Sequence, residues 1–225
     1  MGRWIIEFIK YLLDCVLSVL YCREYKCIEC GNYVEESSIC NECSKKIKFC
    51  KGFIRIKKNN NEVICYSVSY YSNLMVKLIL RLKYKSDFVC ADIISSFMIK
   101  VIQENHIKFD SITFIPMTRK ALRKRGYNQS RILAKIISDK LNVELIDCLK
   151  KVRETKDQIG LDGNSRWENL FLSFKIKNSN KILGKNILII DDVITTGATS
   201  YYCAEELLNN GAKKVKVLTA AKTSI

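Results

Sequence analysis

Hydrophobic residues along this chain follow two different periods. From Trp4 to Tyr21 every residue is apolar except Glu7, Lys10, Asp14 and Ser18, with Cys15 and the tyrosines counted as apolar. Those polar positions recur at steps of three and four, which predicts an amphipathic helix over 1–21 with one narrow polar stripe. Residues 63–70 alternate apolar and polar, the period of a strand. Helical spacing returns over 73–84, 87–104 and 129–141. Residues 111–115 form a short apolar strand that ends at Pro116, and 171–174 a second short strand. The run 187–190 is continuously apolar, as in a strand buried on both faces. A helix over 198–210 stopped by Gly211 and a strand over 215–220 complete the pattern. Strands alternating with helices predict an α/β fold with a mostly parallel sheet flanked by helices.

The same pattern divides the chain. Residues 1–21 are read as the helix, 22–50 as a cysteine-rich module, 51–65 as a polar linker and 66–225 as the α/β domain. The linker reading rests on the run Lys57-Lys-Asn-Asn-Asn-Glu62. In the first helix the longest charge-free run, 15–22, is too short to cross a bilayer. With no small-residue cleavage site after it, the segment reads as a helix packed on its own protein, with no integral membrane span.

Composition adds charge and sulfur. Lys and Arg outnumber Asp and Glu by 38 to 23, a net charge of +15. That balance favours a polyanionic partner: a phosphorylated small molecule, a nucleic acid or an anionic surface. The eleven cysteines are odd in number, and four fall in paired C-x-x-C spacing, which points to a metal site in a reducing, cytoplasmic compartment rather than to a disulfide framework. Cys27, Cys30, Cys40 and Cys43 have the spacing of a tetrahedral four-cysteine zinc ribbon, with Gly31 allowing the turn after the first pair. Four protein ligands close the shell, so the zinc is expected to be structural. Cys65, Cys90, Cys148 and Cys203, together with Cys15 and Cys22, read as core residues. The single histidine, His106, reads as a surface residue rather than as a base, which argues against a Ser-His-Asp triad.

The segment 187–199, Ile-Leu-Ile-Ile-Asp-Asp-Val-Ile-Thr-Thr-Gly-Ala-Thr, carries the most chemistry. A buried strand leads into Asp191 and Asp192, and Thr195, Thr196, Gly197, Ala198 and Thr199 then open a helix. Ligands of parallel sheets sit at the carboxyl ends of strands. A helix N-terminus offers free amides to phosphate, Gly197 lets the backbone approach closely, and the threonine hydroxyls add donors. Two carboxylates beside a phosphate cradle make sense if the ligand also presents vicinal hydroxyls, which they accept from. They would also stabilise positive charge developing on a ribose ring. No Walker A loop exists in the chain, which removes the nucleotide-hydrolase reading of an apolar strand ending in acids.

Between Thr118 and Arg131 lie six cations: Arg119, Lys120, Arg123, Lys124, Arg125 and Arg131. Tyr127, Asn128 and Gln129 sit within the same stretch. Cations of this density neutralise phosphates, and a tyrosine can stack on a base. A diphosphate and single-stranded DNA are both compatible with the segment, as is a solvated active-site loop.

The run 187–199 resembles the PRPP-binding signature of type I phosphoribosyltransferases. More narrowly, the chain resembles the ComF family, associated with bacterial natural competence. Arg123-Lys-Arg-Gly-Tyr-Asn-Gln129, Arg153-Glu-Thr-Lys-Asp-Gln158 and Arg166-Trp-Glu-Asn169 carry that resemblance, from the cysteine cluster almost to the C-terminus. It implies a type I phosphoribosyltransferase-like domain behind a small N-terminal helix and zinc ribbon. It also implies that Asp191 and Asp192 hold the ribose hydroxyls and that 195–199 wrap the 5-phosphate. The turn of Pro116, Met117, Thr118 and Arg119 would take the pyrophosphate, with a cis bond considered at Ile115–Pro116 and Mg²⁺ bridging the diphosphate oxygens. The doubled zinc ribbon frequent in that family is not matched, because only Cys50 remains in the next stretch. Two functions follow from the resemblance. One is phosphoribosyl transfer from PRPP to an unidentified acceptor. The alternative is a non-catalytic single-stranded-DNA-binding adaptor that keeps the PRPP site as a sensor and docks a DNA-uptake helicase.

Overall fold

The computed structural model describes residues 26–34, 38–58, 61–153, 167, 170–177 and 179–223. The helix expected over 1–21 lies outside these residues, as do 154–158, 166, 168 and 169 of the motifs above. The chain divides into two compact units, Met1–Ser44 and Lys45–Ile225.

The described part of the first unit is small. Lys26 and Tyr33 pair in an antiparallel bridge, and one helical turn, α1 (Asn41–Ser44), follows. Between the bridge partners the Gly31 amide donates to the Cys27 carbonyl at 2.8 Å. That tight turn holds Gly31 at φ 77°, in the left-handed region glycine tolerates.

The second unit is a six-stranded sheet in the order β1-β2-β8-β7-β3-β4. Its strands are β1 (Phe53–Lys58), β2 (Asn61–Tyr70), β3 (Ser111–Phe114), β4 (Glu144–Leu145), β7 (Asn186–Ile194) and β8 (Lys214–Lys222). A separate two-stranded antiparallel ribbon joins β5 (Leu149–Lys151) to β6 (Phe174–Ile176). All neighbours in the large sheet are parallel except β1 with β2. The helices are α2 (Asn73–Tyr84), α3 (Phe88–Glu104), α4 (Arg119–Arg125), α5 (Gln129–Leu141) and α6 (Ala198–Asn209). The α/β fold with a mostly parallel sheet is the one the periodicity predicts.

Local chemistry sets several boundaries. In α2, Leu74, Met75, Leu78, Ile79 and Leu82 form the buried stripe, and in α5 Leu133, Ala134 and Ile137 do the same. The Asn128 side chain accepts from the Arg131 amide and caps α5. Thr118 Oγ1 accepts from the Ala121 amide at 3.2 Å and caps α4. Cys65, Cys90, Cys148 and Cys203 are buried as expected, and His106 is exposed.

Three expectations are corrected. Residues 51–65 are not a linker: 53–58 and 61–70 form the β1–β2 hairpin, from Phe53↔Tyr66 to Lys58↔Asn61. The polar lysine and asparagine run marks its tip, and β1 hides its signal because, as an edge strand, it buries only Ile56. The cysteine-rich module ends at Ser44 rather than at 50, and the Cys50 amide donates to the Val68 carbonyl of β2 at 2.9 Å. The strand expected at 171–174 begins only at Phe174, since Leu172 takes a φ of 54° that breaks an extended run. The bond before Pro116 takes the default trans form, there being no cis peptide among the described residues.

Candidate functional site

The run 187–190 turns out to be the middle of a longer strand. Its neighbour β8 is nine residues long, so the ladder continues through Asp191↔Thr219, Val193↔Ala221 and Ile194↔Lys222. Asp191 and Asp192 therefore stand inside β7, 7% and 5% exposed. Successive strand residues point to opposite faces, and the two carboxylates consequently meet different partners. Asp191 Oδ1 accepts from Ser130 Oγ of α5 at 2.8 Å and from the Asp192 amide at 2.9 Å. Asp192 Oδ2 forms an ion pair with Lys83 Nζ of α2.

The electrostatics follow from this geometry. Burial, and then the charge of Asp192, push the Asp191 carboxyl up to about 8, against the Ser130 and Asp192 donors that pull it down. Burial alone would depress the Lys83 ammonium, but Asp192 and then Asp191 outweigh it and hold it above its ordinary value. Around neutral pH the site thus contains a charged lysine and a largely protonated Asp191.

Beyond β7 the chain turns through 195–197 into α6. Gly197 holds φ 81°, and a Cβ there would come within 3.0 Å of the Ile56 side chain. Both facts call for glycine at this position. Asp191, Asp192, Thr195, Gly197, Ala198 and Thr199 line one cavity of about 550 Å³, together with Lys83, Tyr84 and Leu80 of α2. Thr196 belongs to the same turn and its Oγ1 accepts from the Ala198 amide at 3.5 Å.

A larger cavity of about 1050 Å³ opens at the end of β3. Pro116, Met117, Thr118 and Arg119 line it, with Tyr127, Asn128 and Arg131. Its opposite wall is the β5–β6 ribbon and the residues flanking it, which contribute Lys150, Lys151, Arg153 and Lys177. Among the described residues Asp147 is the one carboxylate in that lining, and it is paired with Lys177 at 2.6 Å. β3 and β7 are adjacent and parallel, so both cavities open at the carboxyl ends of neighbouring strands, where α/β sheets bind ligands.

The basic segment divides by role. Residues 119–125 form helix α4, ended by Gly126 at φ 85°. Arg123 is exposed. Arg125 donates from Nη1 to Gln129 Oε1 at 2.5 Å and lies 5.4 Å from the Tyr84 ring centroid. Tyr127 donates its hydroxyl to the Leu82 carbonyl and packs edge-on against Phe88. Asn128 is buried, with Nδ2 donating to the Ile115 carbonyl at 2.9 Å. Tyr127, Asn128 and Gln129 thus commit polar groups to holding α2, β3 and α4 together. Lys83 and Ser130 are the site residues the sequence reading missed. Lys83 had a signal: it lies four residues after Ile79 and eight after Met75, on a helical stripe otherwise wholly buried. Ser130 had none, since its partner is 61 positions away.

In the first unit the four predicted sulfurs, of Cys27, Cys30, Cys40 and Cys43, lie within 4.8 Å of one another. Cys30 and Cys40 are 3.7 Å apart, close to the edge, about 3.8 Å, of a tetrahedron with Zn–S near 2.3 Å. Burial raises the Cys27 thiol, but the amides of Cys40, Cys30 and Glu29 overcome this and lower it to about 6. Cys43 is pushed up to about 12 by burial and by the other three sulfurs. A cluster with one ready thiolate, crowded by thiols that resist further charge, is a set that a divalent cation would satisfy, and it fits a structural zinc ion.

Sequence comparison agrees with this geometry. Residues 127–224 match the phosphoribosyl transferase domain family. The second unit is therefore a phosphoribosyltransferase-like α/β domain. Competence protein F of Haemophilus influenzae is 24% identical over 88% of this chain and 97% of its own length. Competence protein ComFC of Bacillus subtilis is 27% identical over 82% of this chain and 72% of its own. DNA utilization protein YhgH of Escherichia coli is 32% identical over 51% of this chain, a match that spans half of YhgH. Over most of its length the chain is similar to these competence proteins, and its C-terminal part carries the phosphoribosyl transferase domain match. Among the described residues no helix is long and apolar enough to cross a membrane.

Proposed function

We propose that this protein binds PRPP at the carboxyl ends of β7 and β3 and acts in competence-related DNA handling. The observation that carries the proposal is the buried pair Asp191 and Asp192 in the lining of the cavity that Thr195, Gly197, Ala198 and Thr199 share. The Asp192 carboxylate and the carboxyl oxygens of Asp191, beside a phosphate cradle, suit a ligand with vicinal hydroxyls and a terminal phosphate. The 5-phosphate would take the amides and hydroxyls of 195–199. The diphosphate, with its Mg²⁺, would reach the 116–119 turn. If transfer occurs, an acceptor lone pair forms the new bond to C1 while the C1–O bond breaks and its electron pair leaves with pyrophosphate. Asp192 would then stabilise the positive charge developing on the ribose. A structural zinc ion at Cys27, Cys30, Cys40 and Cys43 completes the proposal, and the zinc ribbon is a candidate dock for a DNA-uptake helicase. Pyrophosphate release from PRPP and Mg²⁺, offered with a panel of nucleobases and nucleotides, tests turnover: release with any acceptor supports an enzyme. PRPP binding without release across the panel favours a sensor.

A second reading, a single-stranded-DNA-binding adaptor, is favoured by the larger cavity. Arg119, Arg131, Lys150, Lys151, Arg153 and Lys177 line it together, with Asp147 the one carboxylate opposing them among the described residues. The names of its relatives, competence and DNA utilization proteins, support this too. Binding by such a wall depends on counterion release and weakens steeply with salt.

A further inference from the structure

We propose that Lys83 is a positioning residue of the PRPP site, the cation that holds Asp192 as a carboxylate aimed into the cavity beside its buried neighbour Asp191. The inference rests on the PRPP reading above for its ligand and on the ion pair itself for its physics.

Two buried aspartates side by side disfavour double ionisation. Such a pair keeps one proton, here on Asp191, and needs a cation to hold the other aspartate as a carboxylate. Lys83 is that cation: its side chain is 18% exposed and contacts Asp192 Oδ2. It shares the cavity lining with both aspartates and with Thr195 and Thr199. The last turn of α2 that carries it is held on both sides. The Leu82 carbonyl accepts from Tyr127, and the Tyr84 ring lies beside Arg125. Lys83 is therefore fixed by the junction of α4 and α5, not by its own flexible stem alone.

The charged and titratable groups facing the site come from every neighbouring element. Arg125 opposes the charge of Lys83. Ser130 donates to Asp191 from α5. Cys65 of β2 and Cys203 of α6 feel the charge of Asp191, and burial first, then that charge, pushes both thiols up. Of these groups Arg125 alone is a cation, and its guanidinium is directed to Gln129 and the Tyr84 ring, while the ion pair to Asp192 comes from Lys83. Removing Lys83 thus leaves the pair to keep its second proton, that of Asp192, to higher pH.

The test uses the full chain with Lys83→Met, which keeps the aliphatic volume, and Lys83→Arg, which keeps the charge. PRPP with Mg²⁺ is titrated calorimetrically from pH 5.5 to 8.5. Lys83→Met is expected to weaken binding at pH 6.5 by tenfold or more and to move the midpoint of the binding profile upward by about one pH unit. Lys83→Arg is expected to restore most of both. Equal or tighter binding by Lys83→Met overturns the proposal, making Lys83 a plug in the site. An equal loss at every pH, with the midpoint unmoved, also overturns it, making Lys83 a packing support. The aspartate carboxyl ¹³C titration of ligand-free protein is read in parallel and separates this claim from the PRPP reading. There, the pair's first deprotonation should move upward in Lys83→Met, and an unchanged titration refutes the role of Lys83 whatever ligand binds.

Discussion

Asp191 makes the second unit sensitive to pH in a calculable way. Its folded-state carboxyl is raised from the ordinary 3.8 to about 8 by burial and by Asp192. A tenfold change in proton affinity is worth about 1.4 kcal/mol, so the roughly four powers of ten cap the effect at about 6 kcal/mol. The sign follows from linkage. Between the two values the folded chain holds a proton that the unfolded chain has released, so stability falls by up to about 1.4 kcal/mol per pH unit. The stabilisation is complete below about pH 3.8, declines as pH rises, and is gone above about pH 8. Asp191→Asn keeps the shape and an oxygen for the Ser130 and Asp192 donors but never ionises. Urea unfolding of wild type and variant, followed by far-ultraviolet circular dichroism from pH 5 to 9, isolates the effect by subtraction. The variant should gain on the wild type by about 1 kcal/mol per pH unit between pH 5 and 7, and the difference should level off near pH 8. Parallel curves, or a wild type gaining on the variant as pH rises, would refute the reasoning.

Two further outcomes test other parts of the account. Protein purified under reducing conditions should contain one zinc per chain by metal analysis, and Cys27→Ser should lose most of it, because a three-sulfur site leaves the tetrahedron open; full zinc occupancy in the variant would remove the four-cysteine assignment. Arg131→Glu with Lys150→Glu should weaken binding of an oligothymidylate and flatten its dependence on salt by about two phosphate contacts; an unchanged slope would clear the larger cavity of any role in DNA binding.

Much of the fold was legible because it is local. The stripe of Leu74, Met75, Leu78, Ile79 and Leu82 gives the boundaries of α2, and the spacing of Leu133, Ala134 and Ile137 gives those of α5. The cysteine spacing and the strand–turn–helix around Gly197 were equally readable, since each depends on neighbours in sequence. The β1–β2 hairpin was not, because an edge strand with one buried residue carries almost no alternation. The continuation of β7 through the aspartates was not, because it depends on the length of β8. The partners of the two carboxylates, Ser130 and Lys83, come from 61 positions away in one case and from another helix in the other. Sequence pattern assigned Tyr127, Asn128 and Gln129 to ligand contact by residue type. Tertiary packing gives their polar groups partners within the protein.

The central claim is that the paired carboxylates of β7 form a ribose-phosphate site. Calorimetric titration of the full chain with PRPP and Mg²⁺, against Asp191→Ala with Asp192→Ala, tests it most directly. The account predicts saturable binding by the wild type and a loss of tenfold or more in the double variant, in keeping with removal of two buried hydroxyl acceptors at about 1 kcal/mol or more each. Equal affinity in both proteins, or no binding by the wild type, would contradict it.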